Sequence, residues 1–306
     1  MIIKKIRQLL FDSGYRFLVL ASKGYLKGMS DKNYTKKMFK VKMGKELNID
    51  NPTTFNEKIQ WIKLNIHDKQ FTNLVDKFEA KKEIDKMLGG GYTIPTLGCY
   101  DKFDDIDFNS LPNSFVIKCT HDSGGLYICR DKSTFDIDLA RKKINRSLKN
   151  KFYEQFREWA YKDVKPRIII EEYMEDGRGD SLTDYKFFCF NGIPKMLYVS
   201  VGMEDHSTAK ISFFDLDGHL LPFHRKDYKP FTEKLILPES FDEMTEVAQK
   251  IAKNIRTPFV RIDLYDIKGK IYFSEATFYP NAGMLPFTPE EWDEKLGSML
   301  DLSQWG

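Results

Sequence analysis

The chain has 306 residues, 42% of them apolar and 30% charged, and its 48 Lys and Arg against 45 Asp and Glu leave a net charge of +3. That balance belongs to a globular protein long enough to form two or three core-bearing units, and it excludes an intrinsically disordered chain. The most apolar early run, FLVLA at 17–21, is far too short to cross a bilayer.

The charge is unevenly spread. Residues 1–46 hold ten Lys and two Arg against Asp12, Asp31 and Glu46, a local net of +9, so the remainder carries about −6. The four cysteines, Cys99, Cys119, Cys129 and Cys189, form no CxxC pair, and a reduced, cytoplasmic protein is expected. No small-residue cleavage site follows an apolar stretch, so no secretory signal is expected.

In chain order, Ile2, Ile3, Ile6, Leu9 and Leu10 recur at helical spacing with basic residues between them. Such a helix lies on an anionic surface, such as the inner face of the cell membrane, or docks on the protein's own core. Thr54 and Glu57 have capping-box spacing, so a helix starts near Phe55. A second helix is expected from about Phe71 to Leu88, stopped by Gly89, Gly90 and Gly91. YTIP then leads into a strand or turn.

From about residue 111 strands alternate with helices. FVIKCT and LYICR flank the loop HDSGG as a hairpin, and a helix runs through ARKKINRSLKN. RIIIEEYM is a β-branched run suited to a sheet interior. Asn191-Gly192, Asp217-Gly218 and Lys268-Gly269 mark three further hairpins. Ser240 and Glu243 open a helix with a capping box, and Thr288-Pro289-Glu290-Glu291 caps the last one. The class is α+β with mostly antiparallel sheets. Asp215-Leu216-Asp217 has the letters of a DxD metal motif, but its place beside Gly218 reads as a turn. His206, His219 and His224 fall in or near turns and are expected at the surface.

Charged residues sit inside the apolar strand runs: Lys118, Lys186, Glu171, Asp263 and Glu275. Charges of mixed sign on several strands call for a charged ligand to complete their neutralisation. ATP with Mg²⁺ fits, since lysines meet phosphates, carboxylates meet the metal, and a glycine loop offers N–H groups.

The order of these pieces resembles the ATP-grasp superfamily, and more closely the TupA-like ATP-grasp proteins of bacterial polysaccharide and teichuronopeptide synthesis. TFNEKIQWIKL, LVDKFEAKKEI, YTIPTLGCYD, LPNSFVIKCTHDSGG, IIIEEYM, DYKFFCFNG, RIDLYD and FSEATFYPNAG carry the resemblance, from about Asn51 to Phe287. It implies an ATP-grasp fold of two α+β subdomains gripping the nucleotide. The division would be a basic helical region (1–50), a helical pre-grasp unit (51–110), a subdomain with the glycine loop (111–175) and one with the metal site (176–306).

The resemblance also implies roles. Lys77 and Lys118 would contact the ATP phosphates, and the loop His121, Asp122, Ser123, Gly124 and Gly125 would fold over them. Glu171, Glu172, Tyr173 and Met174 would form the adenine hinge. Lys186 would reach the nucleotide, Arg261 would steady the transferring phosphoryl group, and Asp263 and Glu275, with Asn281, would hold Mg²⁺. The family's Asn two residues after the metal Glu is here Thr277. Plainer roles compete: Lys77 as an exposed helix lysine, Glu172 as the outward neighbour of Glu171, His121 as a loop histidine, Asp263 as the cap of a turn before Asp266.

The activity implied is a carboxylate–amine ligase working through an acyl phosphate, its partners a carboxylate-bearing sugar or glycan precursor and an amine or amino acid. A glycosyltransferase is the second reading. A non-catalytic binder using the basic N-terminus is the third, but no nucleic-acid module surrounds that segment and no nucleic acid is expected.

Overall fold

The computed structural model describes residues 11–177, 182–202, 209–231 and 234–305. Two antiparallel sheets face a common cleft. The first has the order β1–β4–β2–β3, from β1 (Thr96–Tyr100), β2 (Phe115–Cys119), β3 (Leu126–Cys129) and β4 (Ile168–Glu172). Ile168, Ile169 and Ile170 are fully buried because β4 is an interior strand covered on both faces, which is why the run shows no polar alternation. β2 and β3 form the expected hairpin, with Lys118 opposite Leu126. The helix Ile137–Leu148 lies against it through Ala140 and Ile144. Because β1 pairs with β4, this sheet reaches back to residue 96.

The second sheet has the order β10–β9–β5–β6–β7, from β5 (Asp184–Phe190), β6 (Ile193–Val201), β7 (Lys210–Phe214), β9 (Phe259–Ile267) and β10 (Lys270–Thr277); the short β8 (His224–Arg225) pairs separately with β11 (Phe287–Thr288). Asn191-Gly192 and Lys268-Gly269 turn its hairpins with positive φ at all four residues, the geometry that two-residue hairpin turns require. Phe187, Phe188, Phe190 and Phe259 fill the core beneath. Phe55, at the start of helix Phe55–Asn65, places its ring against Phe188, Phe190, Phe259 and Phe287. The capping box of Thr54 and Glu57 is present at that start.

Three helix expectations are corrected. The run from Phe71 to Leu88 is not one helix but two, Lys69–Val75 and Glu79–Leu88. Asp76 breaks it: one carboxylate oxygen accepts the N–H groups of Phe78 and Glu79, and the other pairs with Arg167 at 2.8 Å. Ser240 precedes the helix Phe241–Asn254 but makes no cap; its hydroxyl donates instead to Asp266. Thr288 belongs to a strand, and the last helix, Glu291–Met299, starts beyond Pro289 without a side-chain cap.

In the N-terminal region, the helices Ser13–Ser22 and Asp31–Met43 bury Phe17, Tyr34, Met38 and Phe39 in a cluster that also takes in Ala282 and Met284. This part docks on the protein's own core. Ile2 to Leu10 lie outside the described residues.

Candidate functional site

Glu171 is the pivot of the first sheet's wall. Strand alternation turns its side chain inward and that of Glu172 outward. One oxygen meets Lys81 Nζ, and the other meets Lys118 Nζ at 2.7 Å. Burial works to raise the Glu171 pKa, yet the ammonium groups of Lys118 and Lys81 outweigh it and hold the carboxyl below its usual range. Burial equally opposes the charge on Lys118, but Glu171 prevails there and the pKa rises; on Lys81 burial wins and the pKa falls. Two lysines thus share one carboxylate, and a surplus positive charge faces the cleft.

The loop after β2 is organised by Asp122. Its Oδ1 accepts the Gly125 N–H at 3.0 Å, and its Oδ2 accepts from the Ser147 hydroxyl and, at 3.3 Å, from the Asn150 amide. Gly125 has to be glycine, because a Cβ there would stand 2.5 Å from Ser147 Oγ and 2.6 Å from the Cys119 side chain. Lys77 sits in the helix break, with its N–H bonded to Thr120 O and its Nζ to Asp122 O at 2.6 Å. It is therefore not an exposed helix lysine. His121 is buried, with Nε2 3.2 Å from Asn150 O.

The second wall is a register of opposite charges. Lys186 on β5 stands across from Asp263 on β9, which stands across from Glu275 on β10. Lys186 Nζ lies 2.8 Å from Asp263 and 3.2 Å from Asp184. Arg261 grips Asp263 with Nε at 2.7 Å and Nη2 at 2.6 Å, and donates to Tyr198 Oη at 3.0 Å and to Thr277 Oγ1 at 2.9 Å. Asp263 is wholly enclosed. Burial pushes its pKa up, Arg261 and Lys186 push it down harder, and the net shift is downward. Thr277, at the position where an Asn was expected, serves to fix the Arg261 guanidinium.

Between the walls lies a cavity of about 350 Å³. Of the residues read from the sequence, Lys77, Lys118, Asp122, Ser123, Gly125, Glu171, Glu172, Tyr173, Met174, Lys186 and Glu275 line it. His121, Gly124, Arg261, Asp263 and Asn281 do not. Asp263 is held under Arg261 and Lys186, and Asn281 is exposed on the turn Pro280–Gly283, which packs on the helix Phe55–Asn65. Sequence reading missed Lys81 and Asp184. Asp184 is two strand residues from Lys186, a spacing that places the pair on one face, whereas Lys77 lies in the break before the helix that carries Lys81, so no helical spacing joins those two.

One end of the cavity is apolar, with Ile94, Met174, Leu182 and Tyr265 forming a small cluster that suits a flat ring. The same cavity receives four lysines, the Glu275 carboxylate, and Asp184, whose buried Oδ1 has no hydrogen-bond partner. Such a donor set can hold a polyphosphate and a divalent cation. Asp215, Asp217 and His219 also cluster, but Asp215 accepts from the N–H groups of Asp217 and His219 and from the His219 ring, as a turn residue does.

Two antiparallel sheets gripping a lysine-rich cleft define the ATP-grasp class. The family model described as TupA-like ATPgrasp matches residues 57–301, and the chain belongs to that family. Among solved structures, the chain is similar to a D-alanine–D-alanine ligase from Bacillus anthracis complexed with ATP, with 15% identity and a TM-score of 0.44 over 74% of this chain and 63% of that one. It is also similar to a D-alanine–D-alanine ligase from Helicobacter pylori, with 14% identity and a TM-score of 0.42 over 74% and 60% of the two chains. An L-amino acid ligase from Bacillus licheniformis matches with 13% identity and a TM-score of 0.40 over 90% and 57%. The chain thus spans less than two thirds of these relatives' length. No curated protein matches it. No helix among the described residues is long and apolar enough to cross a membrane.

Proposed function

We propose that the protein is an ATP-dependent carboxylate–amine ligase of bacterial surface-polysaccharide synthesis, acting on a carboxylate-bearing sugar such as a uronic acid and an amine such as an amino acid. The observation that carries this reading is the convergence of Lys77, Lys81 and Lys118 from one side and Lys186 and Glu275 from the other on a single cavity. In it, ATP supplies the phosphoryl group that activates the carboxylate, and Mg²⁺, when bound, neutralises phosphate oxygens beside Glu275. Lys77 and Lys118 hold the phosphates, and the loop from His121 to Gly125 closes the same end. Glu172, Tyr173 and Met174 face the ring. Asp263 fixes Lys186, which lines the cavity, so that its ammonium meets the charge that develops on transfer, while Arg261, outside the lining, acts through its grip on Asp263. For Asp263 to ligate metal, it would have to give up one of its two cations. No covalent nucleophile is needed, because alignment and charge stabilisation supply the rate.

In this reading residues 111–175 and 176–306 act as the two gripping units, preceded by the helical units 1–50 and 51–110. The lysines that the docked N-terminal helices leave exposed, Lys23, Lys27, Lys32, Lys37 and Lys40, rest against anionic lipid and bring the cytoplasmic enzyme to a lipid-linked acceptor. The test is product analysis with ATP, uronic acids and amino acids. Release of ADP and phosphate that depends on both a carboxylate and an amine supports the ligase. Release of a nucleoside diphosphate from a nucleotide sugar, with ATP inert, overturns it in favour of glycosyl transfer.

A further inference from the structure

Lys142, Lys143, Arg146 and Lys149 lie outside every assignment made so far. Residues 141–151 read RKKINRSLKNK, six cations and no acidic residue, in a part of the chain whose net charge is negative. Arg141 is committed to Asp104 and Asp138, and Lys151 stands 3.9 Å from Glu154. The other four are exposed, and no carboxylate among the described residues pairs with them.

Helix geometry gathers these charges. The helix Ile137–Leu148 buries Ala140, Ile144 and Ser147 and packs on β2 and β3. At 3.6 residues per turn, Lys142, Arg146 and Lys149 fall on the opposite side, one turn apart, and span about 10 Å. Basic residues in a last turn complement the helix dipole, which accounts for Arg146 and Lys149 but not for Lys142 and Lys143. Like charges four residues apart repel and weaken the helix, so a merely solvated face gains nothing from them.

The stripe ends at the site. Ser147 and Asn150, on either side of Lys149, both donate to Asp122, and Asn150 O lies 3.2 Å from His121 Nε2. Asp122, Ser123 and Gly125 of that loop line the cavity. The chemistry of the stripe selects a polyanion, because cations one turn apart engage charges repeated along a chain, whereas a single anion uses one of them. A lipid surface is recognised by cations together with aromatic side chains that enter it. The exposed aromatics among the described residues, Phe11 and Tyr25, lie in the N-terminal region and none lies on this helix.

We infer that this stripe is a docking track for an anionic glycan chain, and that the acceptor is a polymer of carboxylate-bearing sugars rather than a free sugar. The inference rests on the ligase reading above. Carboxylates of successive sugars pair with Lys142, Arg146 and Lys149, and the track leads the chain to the loop that borders the cavity.

The experiment measures binding of hexagalacturonate, galacturonate, and vesicles of phosphatidylcholine with phosphatidylglycerol to the full chain at low salt without ATP. Wild type should bind the hexamer at least about tenfold more tightly than the monomer. Reversing the stripe with Lys142→Glu, Arg146→Glu and Lys149→Glu together should weaken hexamer binding at least about tenfold, since three contacts of a few-fold each are lost. Reversing Lys23, Lys37 and Lys42 instead should leave it within about threefold. The stripe side chains are exposed, so the unfolding midpoint should stay near that of wild type. If it falls, Lys142→Gln with Lys149→Gln removes charge without reversing it and should show the same loss in smaller measure. Hexamer binding that stripe reversal leaves unchanged, or equal affinity for monomer and hexamer, overturns the track. Loss of vesicle binding on stripe reversal, with no hexamer binding by wild type, overturns it in favour of a lipid surface. No ADP release with any carboxylate and amine overturns the ligase reading itself, a separate result.

Discussion

Replacing Asp263 with Asn separates two accounts of the same carboxylate. Asp263 is fully enclosed, and its oxygens lie 2.6–2.8 Å from Arg261 and Lys186. Removing its charge strands two buried cations, a perturbation that typically costs about 3–5 kcal/mol. Lys186 keeps Asp184 at 3.2 Å and Arg261 keeps Tyr198 and Thr277, so the lower end, about 3 kcal/mol, is expected. Because the folded-state pKa of Asp263 is depressed, its contribution is present above the unfolded value and lost as pH falls through the folded one. Urea unfolding without nucleotide or metal should therefore show the full gap from pH 5 to 8, narrowing below pH ~4. A gap under about 1 kcal/mol at pH 7 would refute the counter-ion account and leave metal ligation as the residue's whole role.

Gly125→Ala places a methyl 2.5–2.6 Å from Ser147 and Cys119, and should cost about 1–3 kcal/mol in thermal unfolding and weaken the loop's grip on nucleotide. Gly124→Ala, whose nearest neighbour is Asp122 Oδ2 at 3.9 Å, should behave as wild type. Lys77→Met should abolish stabilisation by ATP, whereas Lys82→Met, on the exposed partner of Glu79, should not; equal effects would remove Lys77 from the site. Burial raises the Cys119 thiol to about 11, so it should resist alkylation at pH 8 until urea unfolds the chain, and prompt labelling in the native state would contradict the packing under the loop.

What could be read along the chain was local or periodic. The run of Ile168 to Ile170, the Asn-Gly and Lys-Gly turns and the Thr54–Glu57 cap are each set by neighbours in sequence. The break at Asp76 joins a local cap of the Phe78 and Glu79 N–H groups to a pairing with Arg167, 91 residues away, and the second half of that was not legible in the local pattern. The role of Asp263 was obscured for the same reason. Alternation shows that a strand carboxylate points inward, but only the register, Lys186 opposite Asp263, shows what it meets.

The central claim is that ATP sits between the two walls, and calorimetric titration of Mg²⁺·ATP into wild type, Lys118→Met and Lys186→Met tests it most directly. The account predicts one site that is weakened at least about tenfold, or about 1.4 kcal/mol, by the loss of either lysine, since each comes from a different sheet. Binding that neither substitution changes would place the nucleotide elsewhere and contradict the account.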